Sequence, residues 1–243
     1  MEDIAANLKA FYAQLAHACK YERGRIAGMD FVWNRKGNWP SYVIGRPDVS
    51  RIDSLAEAMR GGDAPPFLIL EQEEPELVHT LEEAGIRRVR QWTGMELDPG
   101  EYLPPQPVPG LEVEVNPPGG LEAWMEMVNT EVMSGARMGA EVADALERDR
   151  DFHWLMAGSE GEAVSCGLLF VRDRVGGIYM VGTRSSHRGK GYASAVLGRM
   201  VSLAMDGGCR KLVLHATDMG EGLYRRLGFR AEGRLSIHWY LGG

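Results

Sequence analysis

"VGTRSSHRGKGYASAVL", residues 181–197, sets Gly189 and Gly191 with the cations Arg188 and Lys190 directly ahead of an amphipathic run. Ala193, Val196, Leu197, Met200, Val201 and Ala204 recur with the spacing of one buried helical face, and Gly207 and Gly208 end the pattern. The segment before them, "GIYMVGT" at 177–183, reads as a strand. Amides of Gly189, Gly191 and their neighbours then lie unpaired in a helix's first turn, with the positive end of the dipole behind them. A Cβ would hold an anion off that backbone, and Arg188 and Lys190 add charge at the rim. The turn is a candidate anion cradle, suited to a pyrophosphate. Taken alone, it equally fits a strand-to-helix turn with solvated cations. A P-loop is excluded, because Gly182 is too far from Gly189 and Lys190 is followed by Gly191. A dinucleotide fingerprint fails too: its third glycine would fall at Ser194, and the next strand ends in "HAT" instead of an acidic residue.

Working outward, "FHWLMAG" (152–158), "AVSCGLLFV" (163–171) and "GIYMVGT" predict an antiparallel meander. "KLVLHAT" (211–217) predicts a buried strand parallel to its predecessor, since a helix joins the two. "DMGE" opens a short helix, with Asp218 as cap, Glu221 as the acidic partner of a capping box, and Gly228 as the left-handed terminator. "RAEGRLSIHWYL" (230–241) alternates as a last strand. Upstream, "LEVEV" (111–115) alternates likewise, and 121–148 carries helical patterning throughout.

"VGTRSSHRGKGYASAVL", "LVLHAT" and "GLYRRLGF", in this order and at these separations, resemble the GNAT superfamily of N-acetyltransferases. The superfamily's Arg/Gln-x-x-Gly-x-Gly/Ala signature is met by Arg188, Gly191 and Ala193, and its final-helix pattern by Leu223, Tyr224, Leu227, Gly228 and Phe229. The resemblance covers roughly residues 111–241. It implies an α/β, mixed-sheet acyl-CoA transferase fold and acetyl-CoA as co-substrate. It implies a pyrophosphate held by the amides of Arg188, Gly189, Lys190, Gly191, Tyr192 and Ala193. It also implies a pantetheine arm pairing with the backbone of Met180, Val181, Gly182 and Thr183. The acceptor is then a small-molecule or peptide amine. A neutral amine attacking a thioester needs an oxyanion-directed donor and a proton for the departing sulfur. The Val181 N–H is the candidate for the first, and Tyr224, protonated at neutral pH, for the second.

Three departures stand out. Thr217 occupies the place of a common pantetheine-binding asparagine, Gly220 that of a common alanine, and the strand around 177–183 holds no carboxylate to serve as base. His215, Glu131, Glu141, Glu162 and His153 are the candidates for that role. His215 shares a strand face with Val213 and Thr217 and titrates in a useful range, although buried histidines are commonly just hydrogen-bonded. Met125, Met127, Met133 and Met138 belong to the helical core or to an adaptable pocket wall.

"DPGEYLPPQPVPG" (98–110) breaks the chain with repeated prolines. The reading is an accessory domain at 1–98, a linker at 99–109 and the transferase domain at 110–243. In the first of these, "LEEAGIRRVRQWTGMELD" (81–98) echoes residues 224–241, with Gly85 against Gly228 and Leu81 against Tyr224. "PFLILEQ" (66–72) takes the place of the fifth strand, and "IGRPDVSRIDSLAEAMRGG" (44–62), with a single glycine after its strand and no Arg-x-x-Gly-x-Gly/Ala, is the nearest stand-in for the cradle. A decayed half-copy of the same fold and chance similarity both fit. Phe31, Trp33 and Tyr42 are expected to pack in the core.

A net charge of −7 excludes general nucleic-acid binding. Three cysteines without metal-ligand spacing imply neither zinc nor disulfides. No apolar run approaches the ~18 residues of a membrane span, and the acidic amphipathic start is unlike a secretory signal, so a cytoplasmic protein is expected. Monomer and homodimer stay open, as does the acceptor. A non-catalytic acyl-CoA sensor is the alternative to an enzyme.

Overall fold

Runs of alternating apolar residues form one continuous mixed sheet in the computed structural model, which describes residues 1–36, 39–133, 135–159 and 161–242. The first 98 residues give strands β1 (Glu22–Ile26), β2 (Met29–Trp33), β3 (Ser41–Gly45), β4 (Phe67–Leu70) and β5 (Ile86–Leu97), with helices α1 (Glu2–Cys19), α2 (Ile52–Gly61) and α3 (Pro75–Glu83). The rest gives β6 (Glu112–Val115), α4 (Leu121–Met127), α5 (Glu141–Arg148), β7 (Phe152–Ser159), β8 (Glu162–Arg172), β9 (Val175–Thr183), α6 (Tyr192–Asp206), β10 (Lys211–Ala216), α7 (Asp218–Arg226) and β11 (Arg230–Tyr240). Strand order among the described residues is β1-β2-β3-β4-β11-β5-β10-β9-β8-β7-β6.

The connectivity occurs twice. Parallel strands β3 and β4 are bridged by α2 and followed by α3 and β5; parallel strands β9 and β10 are bridged by α6 and followed by α7 and β11. The two closing strands are exchanged at the centre. β11 pairs antiparallel with β4, β5 pairs antiparallel with β10, and β5 and β11 pair with each other from Arg230↔Glu96 to Tyr240↔Ile86. Both are entered through a left-handed glycine, Gly85 at φ +81° and Gly228 at φ +98°, because a side chain resists that conformation at the helix end. A Cβ on Gly228 would also run into the Glu101 carbonyl.

Strand residues alternate between two cores. On one face α1, α4 and α5 bury Ile4, Leu8, Phe11, Trp124, Val142 and Leu146 against Phe152, Leu168, Phe170, Val213 and Leu235. On the other, α6 and α7 bury Val196, Leu197, Met200 and Tyr224 against Leu169, Ile178, Leu212 and Leu214. Helices α2 and α3 cover Val43, Leu68 and Leu70. Helix α1 ties the halves together, reaching Val32 and Ile44 at one end of the sheet and Val213 at the other.

Two local expectations fail. The helical pattern of 121–148 is interrupted: α4 passes into one π-turn, Val128–Val132, and α5 starts only at Glu141. Asn129 accepts from the Met138 amide (2.8 Å) and donates to the Met138 carbonyl (3.2 Å), so its side chain stitches the intervening loop to the turn. The capping box of α7 does not form either. Thr217 is the N-cap without a side-chain bond, while Glu221 accepts from Thr93 Oγ1 (2.8 Å) and pairs with Arg225. The β5 hydroxyl and a nearby guanidinium outcompete the helix's own amides. The three cysteines are free, and no metal-binding cluster is found among the described residues. No described helix is long and apolar enough to cross a membrane.

Candidate active site

Parallel pairing of β9 with β10 runs from Val175↔Lys211 to Ile178↔Leu214 and then stops. Beyond it the strands separate. On its other side β9 keeps its ladder with β8 but slips register between Leu168↔Tyr179 and Cys166↔Gly182, a bulge that leaves Met180 and Val181 opposite a single residue. Met180 holds φ +52°, a left-handed conformation that side chains adopt rarely, so the strand bends at this point.

The hydrogen bonds show which way the bent edge faces. The Arg184 amide donates to Val164 O (3.0 Å) and the Ser165 hydroxyl to Gly182 O (2.7 Å), which turns the polar groups of Gly182 toward β8. Alternation along a strand then turns the backbone of Val181 and Thr183 to the open side, toward β10. Accordingly the Thr183 carbonyl is free to accept from Arg188 Nε, at 3.2 Å. Gly182 is required here by packing: a Cβ would lie 2.6 Å from Val132 Cγ2, so only glycine lets the π-turn sit against the bulge.

Directly after this edge come a 3₁₀ turn (Ser185–His187), the exposed residues Arg188 to Gly191, and α6. Gly189 (φ +78°) and Gly191 (φ +86°) are both left-handed, and no side chain caps the helix. The first-turn amides of Tyr192, Ala193 and Ser194 thus point, uncapped, out of a 15-residue helix whose dipole favours an anion. A Cβ on Gly189 would meet nothing, whereas one on Gly191 would lie 3.1 Å from Val108 of the proline-rich segment, which here runs beside the turn. A cradle that glycine keeps open, continuous with an unpaired strand edge, fits a diphosphate joined to an extended amide-bearing arm.

Across the gap lie β10 and α7. Thr217 is exposed at the end of β10. Tyr224 is buried edge-to-face against Phe229 (5.9 Å), and its hydroxyl has no hydrogen-bond partner among the described residues. Burial pushes its phenol up to about 12, so it keeps its proton at neutral pH. Gly220 gives the ring room, since a Cβ there would stand 3.2 Å from Tyr224 Cε2.

The base candidates separate. Glu141 is tied to Tyr21 (2.8 Å) and Asn34 beside α5. Glu162 pairs with Arg184 at the β7–β8 turn, and His153 lies on β7, two strands from the gap. His215 stays near it. Its Nε2 is buried without a partner among the described residues, its ring flanked by Trp92 (5.9 Å) and Tyr179 (6.1 Å), and burial pushes it down to about 4. Glu131, on the π-turn, has its Cβ beside Gly182 and its carboxylate 3.1 Å from Arg188. That ion pair, the contact of Val108 with the cradle and the arrival of Trp92 from the first half of the chain are tertiary features with no sequence signal.

The acetyltransferase (GNAT) family model matches residues 121–229. In fold the chain is similar to a GCN5-related N-acetyltransferase from Kribbella flavida, with a TM-score of 0.76 and 19% identity over 99% of this chain and 96% of that one. It is similar to a GCN5-related N-acetyltransferase from Sphaerobacter thermophilus (TM-score 0.60, 23% identity), over 74% of this chain and 62% of that one. A tandem GNAT protein from the clavulanic acid biosynthesis pathway matches with a TM-score of 0.58 and 13% identity, over 86% of this chain and 77% of that one. No curated protein matches the sequence. The bulged edge, the open cradle and the match to the acetyltransferase (GNAT) family model all fall in one segment, residues 121–229.

Proposed function

We propose that the protein is an N-acetyltransferase that moves an acetyl group from acetyl-CoA to a primary amine by direct attack. The carrying observation is the unbroken line from the unpaired edge at Met180–Thr183 to the uncapped entrance of α6. When bound, acetyl-CoA supplies the thioester. The amides of residues 188–193 hold its diphosphate, with Arg188 and Lys190 at the rim. The backbone of Met180, Val181, Gly182 and Thr183 holds the arm, and the Thr217 hydroxyl contacts it from the other side. The Val181 N–H faces the gap and stabilises negative charge growing on the acetyl oxygen. Tyr224 keeps its proton until a thiolate departs and then donates it. Water entering the gap is limited by the aromatic wall of Tyr179 and Trp92.

Residues 1–98 act as a cofactor-free copy of the same half-fold. In place of an open cradle, Asp48 accepts from the Ser50 amide (3.0 Å) and hydroxyl (2.7 Å), so the turn before α2 is filled by its own carboxylate. That copy serves as scaffold and lends Trp92 to the gap.

The test is free-thiol release from acetyl-CoA across a panel of primary amines, with calorimetric CoA binding alongside. Binding and turnover support the proposal. CoA binding without turnover on any amine leaves an acyl-CoA sensor, and no CoA binding rejects both.

A further inference from the structure

In this structure Arg188 spans the mouth of the gap. Its Nε donates to Thr183 O (3.2 Å) and its Nη2 reaches Glu131 Oε2 (3.1 Å), so one guanidinium covers an acceptor on the open strand edge and neutralises a carboxylate across from it. Glu131 is partly buried, with its side chain 16% exposed, while Arg188 is 49% exposed and can swing. Glu131 reaches this place through two features already described, the π-turn and the missing Cβ of Gly182. No other cation is paired with it among the described residues. Meanwhile the uncapped amides of α6 begin four residues beyond Arg188, at Tyr192.

Resting on the function proposed above, we infer that Arg188 is a latch shared between two anions and that Glu131 is the acceptor-binding carboxylate it guards. In the free protein the guanidinium sits on Glu131 and Thr183. A diphosphate in the cradle presents a stronger, bidentate acceptor within reach of the same side chain and draws it away. The Thr183 carbonyl is then free for the pantetheine arm, and Glu131 is left as an unneutralised, partly buried carboxylate beside the bulge. A site of that kind takes the cationic end of an incoming amine once Arg188 has been drawn off it.

The test is a double-mutant cycle on the full chain, read by calorimetry with CoA. Glu131→Gln removes the competitor for Arg188 and tightens CoA binding about fivefold, the upper end for a partly exposed ion pair. Arg188→Ala weakens it about tenfold, as loss of a charge-assisted bond to phosphate does. In the Arg188→Ala background, Glu131→Gln changes CoA affinity by less than about 1.5-fold, because no latch remains to release. An undiminished fivefold gain in that background means Glu131 acts on the diphosphate by simple repulsion and overturns the latch. For the amine with the best turnover, Glu131→Gln raises KM about tenfold with kcat nearly kept; an unchanged KM overturns the acceptor role. Absent CoA binding strikes the proposed function itself, and the cycle reads the latch whether or not any amine reacts.

Discussion

Replacing His215 by phenylalanine removes a defined part of the protein's acid sensitivity. In the fold burial pushes the imidazole from 6.5 down to about 4, with Nε2 buried between Trp92 and Tyr179 and unpartnered among the described residues. In the unfolded chain it titrates near ~6.5. The folded value lies below the unfolded one, so between them the unfolded state binds more protons and stability rises with pH, flattening above the unfolded value. A single group with these two values destabilises the fold by about 2 kcal/mol at pH 5 and about 3 kcal/mol at pH 4, relative to neutral pH. Urea unfolding of both proteins at pH 7.5 and at pH 5 measures this. Wild type loses about 2 kcal/mol more than His215→Phe on acidification. His153 and His238, which burial also holds down, are present in both proteins and cancel in the difference. At pH 7.5 the variant stays within about 1 kcal/mol of wild type, since an orphaned nitrogen makes no bond to lose. Equal acid losses in the two proteins would show that His215 is solvated or paired in solution, and the reasoning would fail.

Tyr224→Phe lowers thiol release by about a hundredfold or more, while its melting temperature barely moves because the buried hydroxyl has no hydrogen-bond partner among the described residues; an unchanged rate removes Tyr224 from the mechanism. Gly191→Ala forces a side chain into φ +86° and a Cβ to 3.1 Å from Val108; it costs about 1–2 kcal/mol of stability and weakens CoA binding about tenfold by calorimetry, and intact affinity argues against the cradle. Asp48→Ala strips the turn before α2 of its cap, lowering stability by about 1 kcal/mol in urea titrations with thiol release unaltered; lost activity would give the first half a direct part in the chemistry.

Recognition from sequence was strongest where function depends on backbone. An open helix entrance of the kind proposed to hold a diphosphate needs glycines at left-handed positions and no side chain above them, and Gly189 and Gly191 declare that geometry as letters. Tyr224, Gly228 and Phe229 are legible for a similar reason, because a helix end followed by a strand constrains each of them locally. Local patterning misled where a distant partner competed. Glu221, spaced for a capping box, is taken by Thr93 from a strand more than a hundred residues earlier in the chain. The helical run of 121–148 gave no warning of its π-turn, since apolar spacing alone does not distinguish a continuous helix from one stitched into a loop by Asn129.

By itself the sequence determined the class of fold in the second half and singled out the proposed anion-binding turn and the proposed proton donor, all features of residues close together in the chain. Tertiary structure alone decided the exchange of β5 and β11, the bulge that turns Val181 toward the gap, and the meeting of Arg188 with Glu131. Those depend on where a strand stops pairing and on which surfaces a missing Cβ lets together, and neither quantity is written in the spacing of residues along the chain.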